Sequence, residues 1–337
     1  KSKVKCVESL NKSKGDDSLN VSIIIPTKNA EKYIENLIKA LINQTIEPCE
    51  IIVIDTESKD KTVEICMEYD IVKFIQIKQS EFGHGSTRNR AAKLSKGDIL
   101  VFMTQDALPQ NCYFIEELIK PLGKNNIVCT YGRQLPRNNA KTLEVFSRSF
   151  NYGNSDIIKS KEDIPKLGVK TFFFSNVCSS FIKRDFFLVD GFPENIIMNE
   201  DMIISSKIIY NGKKTCYASK AIVTHSHRYT YLQQFKRNFD IGVAFKENSY
   251  YLSEVKSESE GFKFVIEAIK FLFQSNKCYL IPSLFIESGF KFFGYKFGMN
   301  YKNMPIKLVK LMSMHSFYFD RKEVMEEYYS ENSNNRC

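Results

Sequence analysis

The sequence predicts an α/β fold: a mostly parallel sheet wound with helices on both faces, followed by a helical appendage. Three observations carry this. Short apolar runs alternate with amphipathic stretches from residue 21 to about residue 120, and strands that alternate with helices build parallel sheets. The runs themselves are almost continuously apolar, as in VSIIIP (21–26) and ILVFM (99–103), which is the pattern of strands covered on both faces. After about Tyr231 the composition shifts, with twelve Phe or Tyr between Phe262 and Tyr301 and eight Lys against two acids between Lys263 and Lys310.

The elements follow in order. Pro26 stops the first strand, and Ile34, Leu37, Ile38, Leu41 and Ile42 recur behind it at helical spacing. A second strand over 51–54 ends at Asp55, and 60–69 reads as the next helix. The strand 74–77 leads into EFGHGSTRNRAAKLSKGDILVFMTQDALP (81–109). Gly83 and Gly85 let the backbone turn tightly around His84. Arg88 and Asn89 are expected at a helix start, where free N–H groups and a cation favour a phosphate. Asp106 comes three residues after the strand 99–103, at the edge where ligands of open α/β sheets gather.

Residues 121–198 are less regular. The aromatic stretch 172–181 is consistent with strand structure, and Gly191-Phe192-Pro193 is a turn. A helix is expected over 200–210, with Asn199 as its N-cap and Ile203, Ile204, Ile208 and Ile209 inward. A last strand over 214–223 precedes His225. The expected division is a loose Lys-, Ser- and Asn-rich tail (1–20), an α/β domain (21–230) and a basic, aromatic, helical region (231–337).

Apolar content of 43% and charged content of 26% are globular values. The net charge of +9 points to an anionic partner: nucleotide phosphates, an acidic membrane surface or nucleic acid. No nucleic-acid module is legible, so nucleic acid is not expected. Nine cysteines without C-x-x-C argue against a disulfide framework or zinc cluster and for a reducing compartment. No apolar secretory core occurs in the first 20 residues and no spanning helix is expected.

Several residues have two readings. Asp55 closes a strand and can accept the imide N–H of a pyrimidine, or cap the next helix. Asp106 can offer a hard oxygen to Mg²⁺ or Mn²⁺, or be a loop acid before Pro109. Glu200 and Asp201 at a helix start are stabilised as anions by the dipole, and one of them can serve as a general base. His225 and His227 alternate on one face after a strand, where both can meet a metal or phosphate, or simply hydrogen-bond. His84 is either a turn residue or a ligand contact. The Lys and aromatic pattern of 231–337 suits an amphipathic surface against an anionic membrane, or a solvated face over core.

In order, VSIIIPTKNAEKYI, IIVIDTESKDKT, GDILVFMTQDA and NED resemble the family 2 inverting glycosyltransferases of GT-A fold, over residues 21–230. EFGHGSTRN, TQDA and the tail segments GYKFGMNYKNMP and LVKLMSMHSFYF resemble bacterial rhamnosyltransferases. The resemblance implies that Pro26, Thr27, Asn29 and Glu31 line the nucleotide pocket, with Asp55 reading the pyrimidine and Ser58 nearby. It implies Arg88 and Asn89 against the sugar diphosphate, with His84 close. Asp106 would hold Mg²⁺ or Mn²⁺ with His227 as a second ligand, and Gln105 stands where the family often has another acid. Asp201 would be the catalytic base, with Glu200 beside it. The implied donor is dTDP-rhamnose, with a UDP-hexose as the alternative. The implied acceptor is a glycan on a lipid carrier, met at the cytoplasmic face of a membrane by a peripheral enzyme, with a homodimer open. A nucleotidyltransferase would carry a Gly-rich, Arg-containing loop after the first strand, where this chain has PTKNAE. A non-catalytic glycan- or membrane-binding protein is supported by Gln105 alone.

Overall fold

The computed structural model describes residues 20–252, 258–321, 324–326 and 328. The expected tail therefore lies outside the described residues, apart from Asn20. The strands are β1 (Val21–Thr27), β2 (Glu50–Thr56), β3 (Val72–Ile77), β4 (Ile99–Met103), β5 (Leu108–Pro109), β6 (Ile127–Leu135), β7 (Ile157–Lys159), β8 (Cys178–Ile182) and β9 (Lys214–Thr224). The helices of the first half are α1 (Ile34–Ile42), α2 (Thr62–Met67), α3 (His84–Lys93), α4 (Phe114–Ile119), α5 (Thr142–Asn151), α6 (Ile164–Leu167), α7 (Lys183–Leu188) and α8 (Glu200–Tyr210). Then come α9 (Tyr231–Glu247), α10 (Ser249–Leu252), α11 (Glu258–Gln274), α12 (Ile281–Met299) and α13 (Ile306–Met312).

All nine strands join one sheet in the order β3-β2-β1-β4-β8-β6-β9-β5, with β7 paired to β9. The four strands β3, β2, β1 and β4 are parallel, as alternation of strand and helix demands. Beyond β4 the pairing is mixed: β8 runs antiparallel to both β4 and β6, while β6 and β9 are parallel. The expectation of a mostly parallel sheet thus holds for the first half. It gives way after β6, where the stretch carrying α5, β7 and α6 brings β8 in antiparallel to both of its neighbours.

Side chains of β1 alternate between two cores. Ile23 and Ile25 meet α1 and α4 on one face. Ile24 meets Ala91 and Ala92 of α3 and Ile204 and Ile208 of α8 on the other. Burying each such side chain contributes roughly 1.5–3 kcal/mol. The ends of β1, β2, β4, β6 and β9 consequently deliver Thr27, Asp55, Asp106, Gln134 and His225 to one edge of the sheet.

Three local expectations need correction. Helix α3 begins at His84, so Arg88 and Asn89 sit inside it and not at its N-terminal N–H groups. Asn199 does precede α8, but in left-handed backbone (φ 64°) and without a side-chain cap bond. The stretch 172–181 is strand only from Cys178, while Phe172 and Phe174 are buried loop residues.

The C-terminal helices do not stand apart from the sheet domain. Ile203 and Ile209 of α8 share one core cluster with Phe239 and Val243 of α9, Val309 of α13 and Phe319. The composition shift near Tyr231 is therefore not a boundary between cores. Helices α9 and α12 run in the same direction at backbone contact. A Cβ at Gly298 would lie 2.0 Å from the Phe239 carbonyl oxygen, and one at Gly294 2.3 Å from that of Phe235. Overpacking at such a contact costs about 1–3 kcal/mol. Gly298→Ala is accordingly expected to lower unfolding free energy by that amount in urea denaturation. Gly289→Ala, on the same helix with nothing near its Cβ, is expected to raise it by roughly 0.5–1 kcal/mol. A neutral Gly298→Ala would contradict the close packing.

Candidate active site

At the sheet edge the loops after β1 and β2 are tied together by side-chain-to-backbone bonds. Asp55 is fully buried. Its carboxylate accepts from Thr27 Oγ1 (2.9 Å), the Ser58 amide (2.9 Å) and Ser58 Oγ (2.5 Å). Ser58 Oγ in turn accepts from the amide of Asn29 at 2.7 Å. Asn29 (φ 50°) accepts from the Lys59 amide through Oδ1, and Glu31 accepts from the Lys61 amide. Asp55 does not cap the next helix, whose N-cap is Lys61. Its oxygens hold the loop after β2 to Thr27 at the end of β1. Pro26, half-buried, sets the exit of β1 below these loops.

Gln105 explains its own presence. Its Oε1 accepts from the Lys28 amide at 2.8 Å and its Nε2 donates to the Lys28 carbonyl at 3.2 Å. An ionised acid has no donor and could make only half of that clamp. The residue that departs from the family pattern therefore joins the β4 loop to the β1 loop.

Asp106, His225 and His227 converge, with ligand atoms all within 4.8 Å of one another. His225 Nε2 lies 3.5 Å from Asp106 Oδ1, and His227 Nδ1 lies 3.9 Å from Oδ2. Burial, then the neighbouring His227 and Arg148, push the His225 pKa well below its ordinary value. Burial does the same for His227, against the opposing pull of Asp106. Both imidazoles are thus neutral near pH 7, the ligand form. His225 Nδ1 is held by the protein, 3.0 Å from Gln134 Oε1 and 3.3 Å from Arg148 Nη2, which leaves Nε2 to face Asp106. That Nε2 is buried and has no hydrogen-bond partner. One carboxylate oxygen and two imidazole nitrogens fit a divalent metal with mixed N and O preference. Sequence reasoning placed Asp106 and His227 here and left His225 among alternatives. It did not find Gln134 or Arg148, whose sole signal is proximity in space.

The second centre lies at the start of α8. Glu200 Oε1 meets Arg88 at 3.3 Å and accepts from Asn176 Nδ2 at 3.0 Å. Burial pushes the Glu200 pKa up, but Arg88, His84 and the Asn176 amide together hold it below the ordinary value. Asp201, one residue on, accepts from the Asn176 and Met202 amides at 3.2 and 2.8 Å. Burial, followed by the charge of Glu200, pushes its pKa up to about 7. Two adjacent carboxyls are thereby driven apart, one held as an anion and one titrating near neutrality. That separation is a mark of acid–base assignment.

Arg88 and Asn89, expected to face the sugar diphosphate, are engaged with protein groups in this structure. Arg88 is buried against Glu200 and donates to the His84 carbonyl at 2.8 Å. Asn89 spends its amide on the backbone of Phe192, donating to its carbonyl (2.8 Å) and accepting from its N–H (3.0 Å). Arg88 therefore meets the site through Glu200, and Asn89 fixes the Gly191-Phe192-Pro193 turn. His84 is half-buried with Nε2 unpartnered, and its ring meets that of His315 at 5.0 Å. Burial, then His84 itself, pushes the His315 pKa down to about 3. Asp240 of α9 accepts from the amides of Met314 and His315 and so holds that segment in place. Asn176 and Asp240 carried no motif in the sequence, while His315 lies within the tail segment LVKLMSMHSFYF, where no single residue stood out.

A sheet edge with a candidate metal triad and a split carboxyl pair defines a class: enzymes with paired metal and acid–base chemistry. Comparison with known proteins specifies it. The model of glycosyl transferase family 2 matches residues 22–187. The O-antigen chain rhamnosyltransferase RfbN of Salmonella typhimurium (strain LT2) is 38% identical over 90% of this chain and 96% of its own length. WbaN of Salmonella anatum, of the same description, is 38% identical over 89% and 95%. The chain belongs to glycosyl transferase family 2, and it is a glycosyltransferase. Residues 1–349 of Staphylococcus aureus TarS superpose with a TM-score of 0.51 at 18% identity, covering 85% of this chain and 92% of that one. The mannosyltransferase PcManGT of Pyrobaculum calidifontis, solved with GDP-Man and Mn²⁺, gives 0.52 at 15% identity, covering 94% and 87%. At these identities the structural likeness establishes the shared GT-A-type fold.

The raised pKa of Asp201 has a stability consequence. Folding favours its protonated form, so its contribution is fully present below about pH 4, the unfolded value. It is lost as pH rises through about 7, the folded value. Asp201→Asn cannot ionise. Its Tm is expected to exceed that of the wild type by a few degrees at pH 8 and to match it near pH 4, in thermal melts followed by circular dichroism. A variant less stable than wild type at pH 8 would contradict the assignment.

Proposed function

We propose that the chain transfers L-rhamnose from dTDP-β-L-rhamnose to a hydroxyl of a growing, lipid-linked bacterial surface polysaccharide, with inversion. The sugar rests on one observation: 38% identity over 90% of this chain to an O-antigen chain rhamnosyltransferase. The mechanism rests on the split between Glu200 and Asp201. Such an acceptor puts the reaction at the inner face of a membrane, and no helix among the described residues is long and apolar enough to cross one.

In this reading Asp201 is the general base. It takes the proton of the acceptor hydroxyl as that oxygen attacks the anomeric carbon, and the bond from that carbon to the diphosphate oxygen breaks. With a pKa of about 7, Asp201 is about half ionised near neutral pH and basic enough to take the proton. Attack from the face opposite the leaving group turns the β donor into an α product, through an oxocarbenium-like transition state. Asp106, His225 and His227 would hold the divalent metal, for which their mixed donor set favours Mn²⁺ over Mg²⁺. Bound there, it supplies positive charge against the departing nucleoside diphosphate. Glu200 stays ionised and keeps Asp201 basic, while Arg88 positions Glu200. Thr27, Asn29, Glu31, Asp55 and Ser58 frame the nucleotide side, with Gln105 bracing the loop that carries Asp106.

The test is donor turnover across dTDP-rhamnose, UDP-glucose, UDP-galactose, UDP-N-acetylglucosamine and GDP-mannose, each with and without Mn²⁺ or Mg²⁺. Metal-dependent selectivity for dTDP-rhamnose is expected. Preference for a UDP-hexose would discard the rhamnosyl reading and keep the transfer mechanism. Asp201→Asn is expected to lower kcat by about 10²–10⁴-fold, the usual worth of a general base. Near-normal turnover in a folded Asp201→Asn protein would remove the mechanism.

A further inference from the structure

Arg237 of α9 is a half-buried cation, and helix periodicity fixes the side to which it points. The carbonyls of Phe235 and Phe239 lie against Gly294 and Gly298 of α12. Arg237, Asp240 and Ala244, spaced i, i+3 and i+7, occupy the opposite face of α9. Asp240 and Ala244 are buried there, and Ala244 shares a core with Ile203 of α8. The face that carries Arg237 is therefore turned to the helix that opens with Glu200 and Asp201. One turn on from Arg237, Asp240 accepts from the Met314 and His315 amides at 3.0 and 3.1 Å, and the His315 ring meets His84. Burial is the main reason that the pKa values of His84, His225, His227 and His315 are lowered, and the Arg237 charge adds to the shift at all four. The guanidinium thus sits between the candidate metal triad and the carboxyl pair.

Neighbouring arginines are committed to protein groups. Arg88 meets Glu200, Arg148 donates to Gln134, Arg228 to the Asn139 carbonyl and Arg321 to the Phe82 carbonyl. Arg237 has no hydrogen bond or ion pair among the described residues. Holding a cation partly out of water without a counter-charge is costly, and an arriving anion removes that cost. A guanidinium offers a fork of donors that matches phosphate oxygens. Between a metal triad and a general base, the anion to be seated is the diphosphate of the donor.

We propose that Arg237 is the cation that binds the donor's diphosphate and stabilises the charge that grows on it during transfer. When the bond from the anomeric carbon to the diphosphate oxygen breaks, the electron pair stays on that oxygen. The N–H groups of Arg237 donate to the diphosphate oxygens over which the charge spreads. No proton moves, because a guanidinium stays charged. This rests on the reading of the donor as a sugar nucleoside diphosphate. It gives to a residue of α9 the role expected of Arg88, which is engaged with Glu200.

The test compares the full-length wild type with R237Q, R237K and K246Q, the last removing an exposed charge from the same helix. Binding of dTDP and UDP with Mn²⁺ is followed by titration calorimetry, and binding of thymidine and uridine by ligand-observed NMR. Turnover is measured with the donor that the wild type prefers. R237Q is expected to bind the nucleoside diphosphates about tenfold more weakly or worse, with nucleoside binding unchanged. Its kcat should fall by about 10²–10³-fold, the worth of one donor to a developing anion. R237K should recover part of both losses, since it keeps the charge and loses the fork. The Tm of R237Q should equal or exceed that of the wild type, because no protein contact is lost, and K246Q should behave as wild type. Unchanged diphosphate affinity and kcat in folded R237Q would overturn the proposal. So would equal losses for nucleoside and diphosphate, or a K246Q defect as large as that of R237Q. A wild type that prefers UDP and a UDP-hexose, with R237Q impaired on both, would uphold the role of Arg237 and discard the dTDP-rhamnose reading. A wild type selective for dTDP-rhamnose, with R237Q unimpaired, would do the reverse.

Discussion

The structure of the site depends on one buried ion pair, Arg88 to Glu200. Its partners are 5% and 6% exposed and 3.3 Å apart. Two charges taken out of water are costly, and removing one partner of such a pair costs about 3–5 kcal/mol. The pair persists because each partner has further bonds: Arg88 to the His84 carbonyl, Glu200 to the Asn176 amide. It joins α3 to α8 across the second core. It also keeps Glu200 an anion in a place where burial alone would protonate it. Asp201 inherits its raised pKa from burial and then from that anion.

A second polar network performs the matching task on the other side of the edge. Gln134 presents His225 with Nε2 open, and Gln105 clamps the loop of Asp106 to that of Lys28. In both networks an amide side chain does what a carboxylate could not, because it donates and accepts at once. The three-residue candidate metal site answers the apparent deficit of acids in TQDA. Gln105 stands where the family often has another acid, and His225 joins His227 as a second nitrogen donor beside Asp106.

The parallel half of the sheet was legible because strands buried on both faces leave continuous apolar runs, as in β1, β2 and β4. Helix α8 was legible to the residue because its four isoleucines face inward and two acids open it. Strand β6 was not: IVCTYGRQL mixes polar residues with a glycine and reads as irregular, although seven of its nine residues are buried. The acids and histidines of the site could be named from position. Their assignments could not, because each depends on a distant partner. Arg88 is engaged by Glu200 and the Asn89 amide by Phe192, pairings that position in the sequence does not reveal. Asp55 stayed ambiguous because strand-end position does not reveal that Thr27 and Ser58 occupy its oxygens.

The central claim is that Glu200, held ionised by Arg88, sets the basicity of Asp201. The most direct measurement is the pH dependence of kcat for the wild type and for Glu200→Gln with the same donor and acceptor. The wild-type profile should fall on its acid side with an apparent pKa near 7, the value for Asp201. In Glu200→Gln the neighbouring anion is gone and the Arg88 charge remains, so the acid limb should move to lower pH. An acid limb that stays in place, or moves upward, in a folded variant would contradict the account.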